Sequence, residues 1–440
     1  MKYTLIAGTQ SGCGKTSITL AVLQFLKAKN KSVRAFKTGP DFLDPMWHKA
    51  ITQKTSYNLD TNMIGIEQSQ QIIQDHQDAE FGIVEGVMGL FDGRDGVGGK
   101  GSGAHLAKSL GIPVCLVIDA KGMAGSVVPL VKGFVAEAQI VGFEITGIIA
   151  NRLGSENHAS IIRELLADYK LPALIAWMEK NAPTMPERHL GLQMPEEQSV
   201  PDFSQVFHAD LDLFTAALSE NTMPENALGD VSLDEKQNSN PQTERYLENK
   251  KIAIARDSAA CFIYQHNLDW LQNQGATLQY FSPVAGDKIP EDIDAIWLPG
   301  GYPELHAEAL SHSNTWQSLA QHIDKGTPCL AECGGMMMLG EALLDHAKKH
   351  WRMAGILPIQ CHMQDRLASL GYREDTATGI KGHEYHHSKR KNLQELPKAF
   401  SLSRGDEGLR YKNLRASYVH WYFSSNPKIA ASFFLRESNT

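Results

Sequence analysis

At 440 residues the chain is too long for one ordinary hydrophobic core, so two or three domains are expected. Apolar content of 42% with 21% charged residues is that of a water-soluble globular protein. A net charge of −8 argues against a nucleic-acid partner, and no apolar run reaches membrane-spanning length.

The first element is an apolar strand over residues 2–7. It runs into Gly8-Thr9-Gln10-Ser11-Gly12-Cys13-Gly14-Lys15-Thr16, and a helical pattern follows to about Lys29. Strand, glycine-rich turn, Gly-Lys-Thr and helix form a phosphate-binding loop. Its glycines let backbone N–H groups wrap a phosphate, Lys15 reaches the outer oxygens, and the Thr16 hydroxyl suits Mg²⁺. Five residues rather than four separate Gly8 from Gly14, which resembles the variant loop of carboxylate-activating enzymes such as dethiobiotin synthetase. Gly12, Gly14, Lys15 and Thr16 are the expected ATP contacts.

A second strand, Ser32 to Phe36, ends in Lys37-Thr38-Gly39-Pro40-Asp41-Phe42-Leu43-Asp44. Doubly wound folds bind ligands at such strand ends. Lys37 can neutralise a phosphate; Asp41 and Asp44 can hold Mg²⁺ or simply cap the next helix. The strand Phe81 to Val84 ends in Glu85, in the position of a magnesium-completing carboxylate, with a glycine-rich loop after it. Strands at 113–119 and 145–150 alternate with helices at 124–137 and 158–169, which predicts a parallel sheet covered on both faces. Asn151 sits at the last of these strand tips and can read an adenine edge or cap the next turn. Arg188 and His189, in a Pro-punctuated stretch, can contact an anionic substrate.

Residues 1–195 thus read as a P-loop domain. Residues 196–249 read as a polar linker, with one amphipathic helix expected over Asp202 to Leu218. Residues 250–440 read as a second α/β domain.

That second half restarts with a strand at 251–255 and a helix running from the Asp257 region to about Gln274. Strands follow at 277–281 and 295–298. The last enters Pro299-Gly300-Gly301, whose N–H groups can stabilise an oxyanion. Gly326 to Ala331 is a short buried strand, and Glu332-Cys333-Gly334-Gly335 lies between it and a helix, as a nucleophile elbow requires. The helix start is expected to favour the thiolate. A base is needed, and His420 ends a late apolar strand. Cysteine followed far downstream by histidine is the chain order of triad-type glutamine amidotransferases, although Tyr422 stands where that group has glutamate. The His383–His387 cluster shows no zinc spacing, and His383 is read as a pocket residue. The six cysteines include no CxxC pair, so reduced thiols and a cytoplasmic location are expected.

Seven stretches, Thr9–Thr16, Phe36–Asp41, Glu85–Gly93, Pro186–Leu192, Gly300–His306, Ala331–Gly335 and Gly382–Glu384, together resemble the cobyrinic acid a,c-diamide synthase family along nearly the whole chain. The resemblance implies two doubly wound domains, a dethiobiotin synthetase-like P-loop domain and a class I glutamine amidotransferase-like domain. It implies ATP- and Mg²⁺-dependent amidation of two acetate side chains on a corrin ring, with glutamine as nitrogen donor, Cys333 as nucleophile and His420 as its activator. Departures are Pro299, where the family often has a third glycine, and His387, where an aromatic or other residue is usual. Small-molecule substrates are the expected partners, and a homodimer is left open. Amidation of metal-free hydrogenobyrinate or of a nickel tetrapyrrole, a P-loop regulatory ATPase, and a corrinoid carrier are the rival readings.

Overall fold

A computed structural model of the chain describes residues 1–93, 96–185, 187–188, 191–192, 194–195, 198–220 and 245–436, the side chains of 187, 188, 191, 192 and 220 excepted. These residues form two compact units that divide at Lys236/Gln237.

The first unit is built on β1 (Lys2–Gly8), β2 (Val33–Thr38), β3 (Tyr57–Leu59), β4 (Phe81–Gly89), β5 (Val114–Asp119), β6 (Ile145–Leu153) and β7 (Leu174–Glu179). Five helices longer than one turn connect them: α1 (Lys15–Ala28), α2 (Leu43–Thr52), α3 (Gly65–Asp75), α4 (Gly103–Leu110) and α5 (Val127–Val141); α6 (Glu156–Asp168) then leads into β7. The seven strands are parallel, in the order β7-β6-β5-β1-β4-β2-β3. β2 is buried along its whole length, as a sheet covered on both faces demands. Because β1 lies between β4 and β5, its carboxyl end opens at the point where strand order reverses, which is where such sheets hold ligands.

A short pair, β8 (Glu187–Arg188) and β9 (Gly191–Leu192), follows β7. The single helix expected over Asp202 to Leu218 does not form. Instead β10 (Phe207–Ala209) adds antiparallel to β7, α7 (Leu211–Ala216) takes one short run, and β11 (Ser219–Glu220) pairs with the start of β1. Phe203, Phe207 and Phe214 join the first unit's core, and this burial overrides the helical periodicity. The segment from 198 to 220 is therefore part of the first unit, not linker. Residues 221–244, within the expected linker, lie outside the described residues, as does His189.

The second unit carries β12 (Lys251–Ala255), α8 (Gln265–Asn273), β13 (Thr277–Phe281), β14 (Ala295–Leu298), α9 (Ala307–Ser311), α10 (Thr315–Asp324), β15 (Cys329–Glu332) and α11 (Gly334–Leu339). The helix expected from Asp257 starts only at Gln265. The Asp257 carboxylate instead accepts the N–H groups of Ala259 and Ala260 and closes a turn. Beyond α11 come β16 (Ala342–Leu344), β17 (His350–Arg352), β18 (Ile359–Met363), β19 (Ser369–Glu374), β20 (Lys381–His386), β21 (Ser388–Asn392), β22 (Leu409–Tyr411), β23 (Leu414–Ser417), β24 (Val419–Trp421) and α12 (Pro427–Ser432). The main sheet runs β13-β12-β14-β15-β23-β22, and β19-β20-β24 form a separate three-stranded sheet. Among the described residues no helix is long and apolar enough to cross a membrane.

Candidate active sites

In the first unit the loop after β1 curls through Gly12 (φ 77°) and Gly14 (φ 93°), both in the left-handed region that glycine adopts freely. A Cβ on Gly8 would stand 2.3 Å from Cys13 Sγ and 3.0 Å from Lys15 Cγ, so only glycine lets the loop fold back on its strand. A Cβ on Gly12 would meet nothing within 4 Å, which leaves space against the loop backbone for a ligand. Lys15 Nζ reaches across to the Gln10 carbonyl at 3.3 Å. Burial lowers its pKa, an environment that a bound phosphate would relieve.

Glu85 is the hub beside this loop. One oxygen accepts from Thr16 Oγ1 at 2.7 Å and Lys37 Nζ at 3.0 Å; the other meets His48 Nε2 at 2.7 Å. Lys37 Nζ also contacts Asp44 Oδ2 at 2.5 Å. Burial would raise Glu85, but the Lys37 charge and the bonds from His48 and Thr16 hold it below the usual carboxylate range. Burial would likewise lower Lys37, yet Asp44 and Glu85 hold it charged. Asp44 is pushed upward by burial, then by the carboxylates of Asp41 and Glu85. Its Oδ1 is buried without a hydrogen-bond partner. Hydroxyl and carboxylate oxygens around an orphaned carboxylate oxygen are the hard donor set that suits Mg²⁺. Among the described residues no group of three His, Cys, Asp or Glu would hold a metal unaided.

Several expectations for this unit change. Asp41 Oδ1 accepts the N–H groups of Leu43 and Asp44, so it caps α2 and its geometry is that of a cap. Asn151 has both ends of its amide engaged: Nδ2 donates to the Cys13 carbonyl at 2.9 Å and Oδ1 accepts the Arg152 N–H at 2.8 Å. It braces the phosphate loop through the Cys13 carbonyl. His48 was not singled out in the sequence. Its signal is spacing, for it falls four residues after Asp44 on the same face of α2. Arg188 lies in β8, in the short strand pair that follows β7.

In the second unit β15 delivers Cys333 between strand and helix. Its φ of 47° and ψ of −109° put a non-glycine residue in a strained conformation that costs on the order of 1–3 kcal/mol. The strain is held by the Cys333 N–H donating to Ser417 O at 2.7 Å and by Met337 N–H returning to Cys333 O at 3.0 Å. A Cβ on Gly335 would sit 2.0 Å from Leu298 O, and one on Gly334 would sit 2.9 Å from Gly301 N. The elbow and the Gly300-Gly301 turn are therefore in van der Waals contact. A Cβ on Gly300 would lie 2.2 Å from His420 Cε1 and 3.2 Å from Cys333 Cβ, so Gly300 occupies the gap between sulfur-bearing and imidazole-bearing residues. Cys333, His420, Gly300 and Gly301 are brought together.

Burial pushes the Cys333 thiol above its ordinary value, with the Gly334 N–H opposing it. It lowers His420 to about 3, with His383 and His386 adding to the effect. The expected helix-favoured thiolate is outweighed by desolvation; the resting pair is neutral thiol and neutral imidazole. His383 lies in β20 directly across from His420, so it belongs to the thiol centre. Burial, then the Arg373 charge, lowers it to about 4. Glu384 is clamped by Arg373 Nε at 2.5 Å and His386 Nε2 at 2.8 Å, and the His386 ring stacks on Tyr418 at 3.6 Å. Tyr422, where a triad glutamate would fall, is fully buried against Tyr264 and His266.

Comparison with known proteins gives the class first. Residues 4–202 match the family model described as the CobQ/CobB/MinD/ParA nucleotide binding domain, and residues 251–428 match that of the CobB/CobQ-like glutamine amidotransferase domain. The chain is a nucleotide-binding unit fused to a glutamine amidotransferase unit. It is 37% identical to the cobyrinate a,c-diamide synthase of Herminiimonas arsenicoxydans, over 99% of this chain and 97% of that one. It is 35% identical to the enzyme of the same name from Priestia megaterium (98% and 95% covered) and 37% identical to the hydrogenobyrinate a,c-diamide synthase of Stutzerimonas stutzeri (97% of each). The chain belongs to the cobyrinate/hydrogenobyrinate a,c-diamide synthase family.

Proposed function

We propose that this protein uses ATP and glutamine to convert the a and c acetate carboxylates of cobyrinate, or of its metal-free counterpart, to amides. The observation that carries the reading is the coexistence, in one chain, of a strained Cys333 elbow beside His420 and a phosphate loop beside the Glu85–Lys37–Asp44 cluster. Neither centre alone makes an amide from an acid; together they supply nitrogen and activation.

At the first centre, Cys333 Sγ attacks the glutamine side-chain amide while His420 takes the thiol proton. A buried neutral pair suits this transfer, because no charge has to be stored before substrate arrives. The N–H groups at Gly301 and Gly334 face the developing oxyanion. His420 then returns the proton to the leaving nitrogen, releasing ammonia, and water hydrolyses the thioester to glutamate.

At the second centre the γ-phosphoryl group passes from ATP to the substrate carboxylate, giving an acyl phosphate and ADP. Ammonia displaces phosphate from it to form the amide. The N–H groups of the phosphate loop and Lys15 hold the triphosphate, and Lys37 offsets charge near the transferred group. Thr16, Asp44 and Glu85 are the residues that would hold Mg²⁺, which when bound neutralises phosphate oxygens. Location in the cytoplasm follows from this chemistry's need for ATP and reduced thiol.

The test is Cys333→Ala. Glutamine-dependent amidation is expected to vanish while amidation with high ammonium salt persists. Loss of both nitrogen sources in a folded variant would show that Cys333 is not confined to the glutaminase step. Mass analysis of products from cobyrinate and from hydrogenobyrinate decides which ring is used.

A further inference from the structure

Glu332 ends β15 immediately before the nucleophile and is 1% exposed. An acid at such a position is expensive, and burial pushes it up to about 8. Its two oxygens serve different segments. Oε2 accepts the indole N–H of Trp297 at 2.9 Å, and Oε1 accepts the backbone N–H of Trp421 at 2.8 Å. Trp297 lies on β14, three residues before Gly300. Trp421 follows His420 on β24. One buried carboxyl therefore links the strand that carries the nucleophile to the strand that leads into the oxyanion turn and to the strand that carries the imidazole.

A well-packed apolar side chain would serve stability at least as well as a buried acid. A group that ties three segments, each ending in a reacting or stabilising group, is better explained by the spacing it sets. We propose that Glu332 is a positioning residue for ammonia release, fixing Cys333, the Gly300-Gly301 turn and His420 relative to one another. It touches no substrate and exchanges no proton with the reacting atoms. The inference rests on the reading of Cys333 and His420 as the glutaminase pair.

The experiment compares full-length E332Q and W297F with the parent protein. E332Q keeps the shape but turns a donor toward one of the two N–H groups. W297F removes the indole donor together with part of the buried ring's volume. Five quantities are read: glutaminase kcat and KM, the labelling rate of Cys333 by a diazoketone analogue of glutamine, ATP-driven amidation with ammonium salt, and Tm. E332Q should lower glutaminase kcat by roughly 10- to 100-fold and slow labelling in step, with KM for glutamine within about twofold. Ammonia-dependent amidation should be unchanged. W297F should act in the same direction by a smaller factor. A kcat for E332Q within about twofold of the parent overturns the proposal, as does an equal loss of ammonia-dependent amidation, the mark of a general folding defect. If E332Q does not fold, W297F decides: an unchanged kcat overturns the proposal and a reduced kcat with intact ammonia-dependent amidation supports it. A parent without glutaminase activity would instead overturn the functional reading itself.

Discussion

Single atoms decide the thiol centre. Gly300 has no side chain because the place a Cβ would take is already held by the His420 ring, 2.2 Å away. An alanine there must push imidazole from sulfur or rotate the turn that presents Gly301 N–H. Gly300→Ala is therefore expected to cut glutaminase kcat by roughly 10²-fold or more, since misplacement by about an ångström has that effect. Ammonia-dependent amidation measured in the same preparation should stay intact, because the phosphate loop is in the other unit. Retained glutaminase activity would mean that the gap between Cys333 and His420 closes by some other route. The same logic bears on Cys333 itself. Its positive φ was not readable from composition, but small residues on both sides of it, Ala331 and Gly335, were, and they are what the turn tolerates.

Elements account for what could and could not be read in advance. The phosphate loop and the elbow were legible because each is a local event: a strand stops, glycines turn, a helix starts, and the chemistry-bearing residue lies within a few positions. The Glu85 hub was only half legible. Lys37 and Glu85 are paired in register across β2 and β4, a non-local fact, and His48 enters through one helical turn of α2. Asp41 and Asp44 look equivalent in sequence, yet one caps α2 while the other turns inward to Lys37. Asp202 to Leu218 carry an apolar spacing that fits a helix until the phenylalanines find the first unit's core. β16 to β22 left little signal, being short strands whose partners are distant in sequence. The hub makes its own prediction. Lys37→Met would leave the buried carboxylates of Asp44 and Glu85 facing each other without their cation. Breaking a buried pair in this way costs about 3–5 kcal/mol. Urea unfolding of the variant should show that loss, and added Mg²⁺ should restore part of it by replacing the missing positive charge. A midpoint that ignores both the substitution and the metal would refute the charge-balance account.

At the scale of the molecule, the two units should respond differently to acid. In the second unit His420 and His383 are held neutral, at about 3 and about 4 against an ordinary 6.5. Unfolding frees them to bind protons, so the stability they contribute is present above pH 6.5 and is lost as pH falls toward those folded values. Glu332 works the other way: raised to about 8 from 4.5, it contributes stability that is full below 4.5 and is lost as pH rises through 8. In the first unit Glu85 and Asp78 are held low, the former by Lys37 against its burial and the latter by its bonds to Arg34, so their contribution fades only below their ordinary values of 4.5 and 3.8, whereas burial holds Asp44 high. Between pH 6.5 and 4.5 the second unit therefore loses stability through His420 and His383, with His322, also lowered by burial, acting the same way, offset in part by Glu332; in the first unit the loss through His105, lowered by burial, is opposed by Asp44. Each histidine can contribute at most ~1.4 kcal/mol per pH unit. Tryptophan fluorescence reports mainly the second unit, which holds five of the seven tryptophans. Urea titrations followed by that signal should show a midpoint that drops from pH 7 to pH 5, and His383→Asn should make the drop shallower. A midpoint with the same slope in the variant would mean that His383 titrates equally in the folded and unfolded chain, against its burial beside His420.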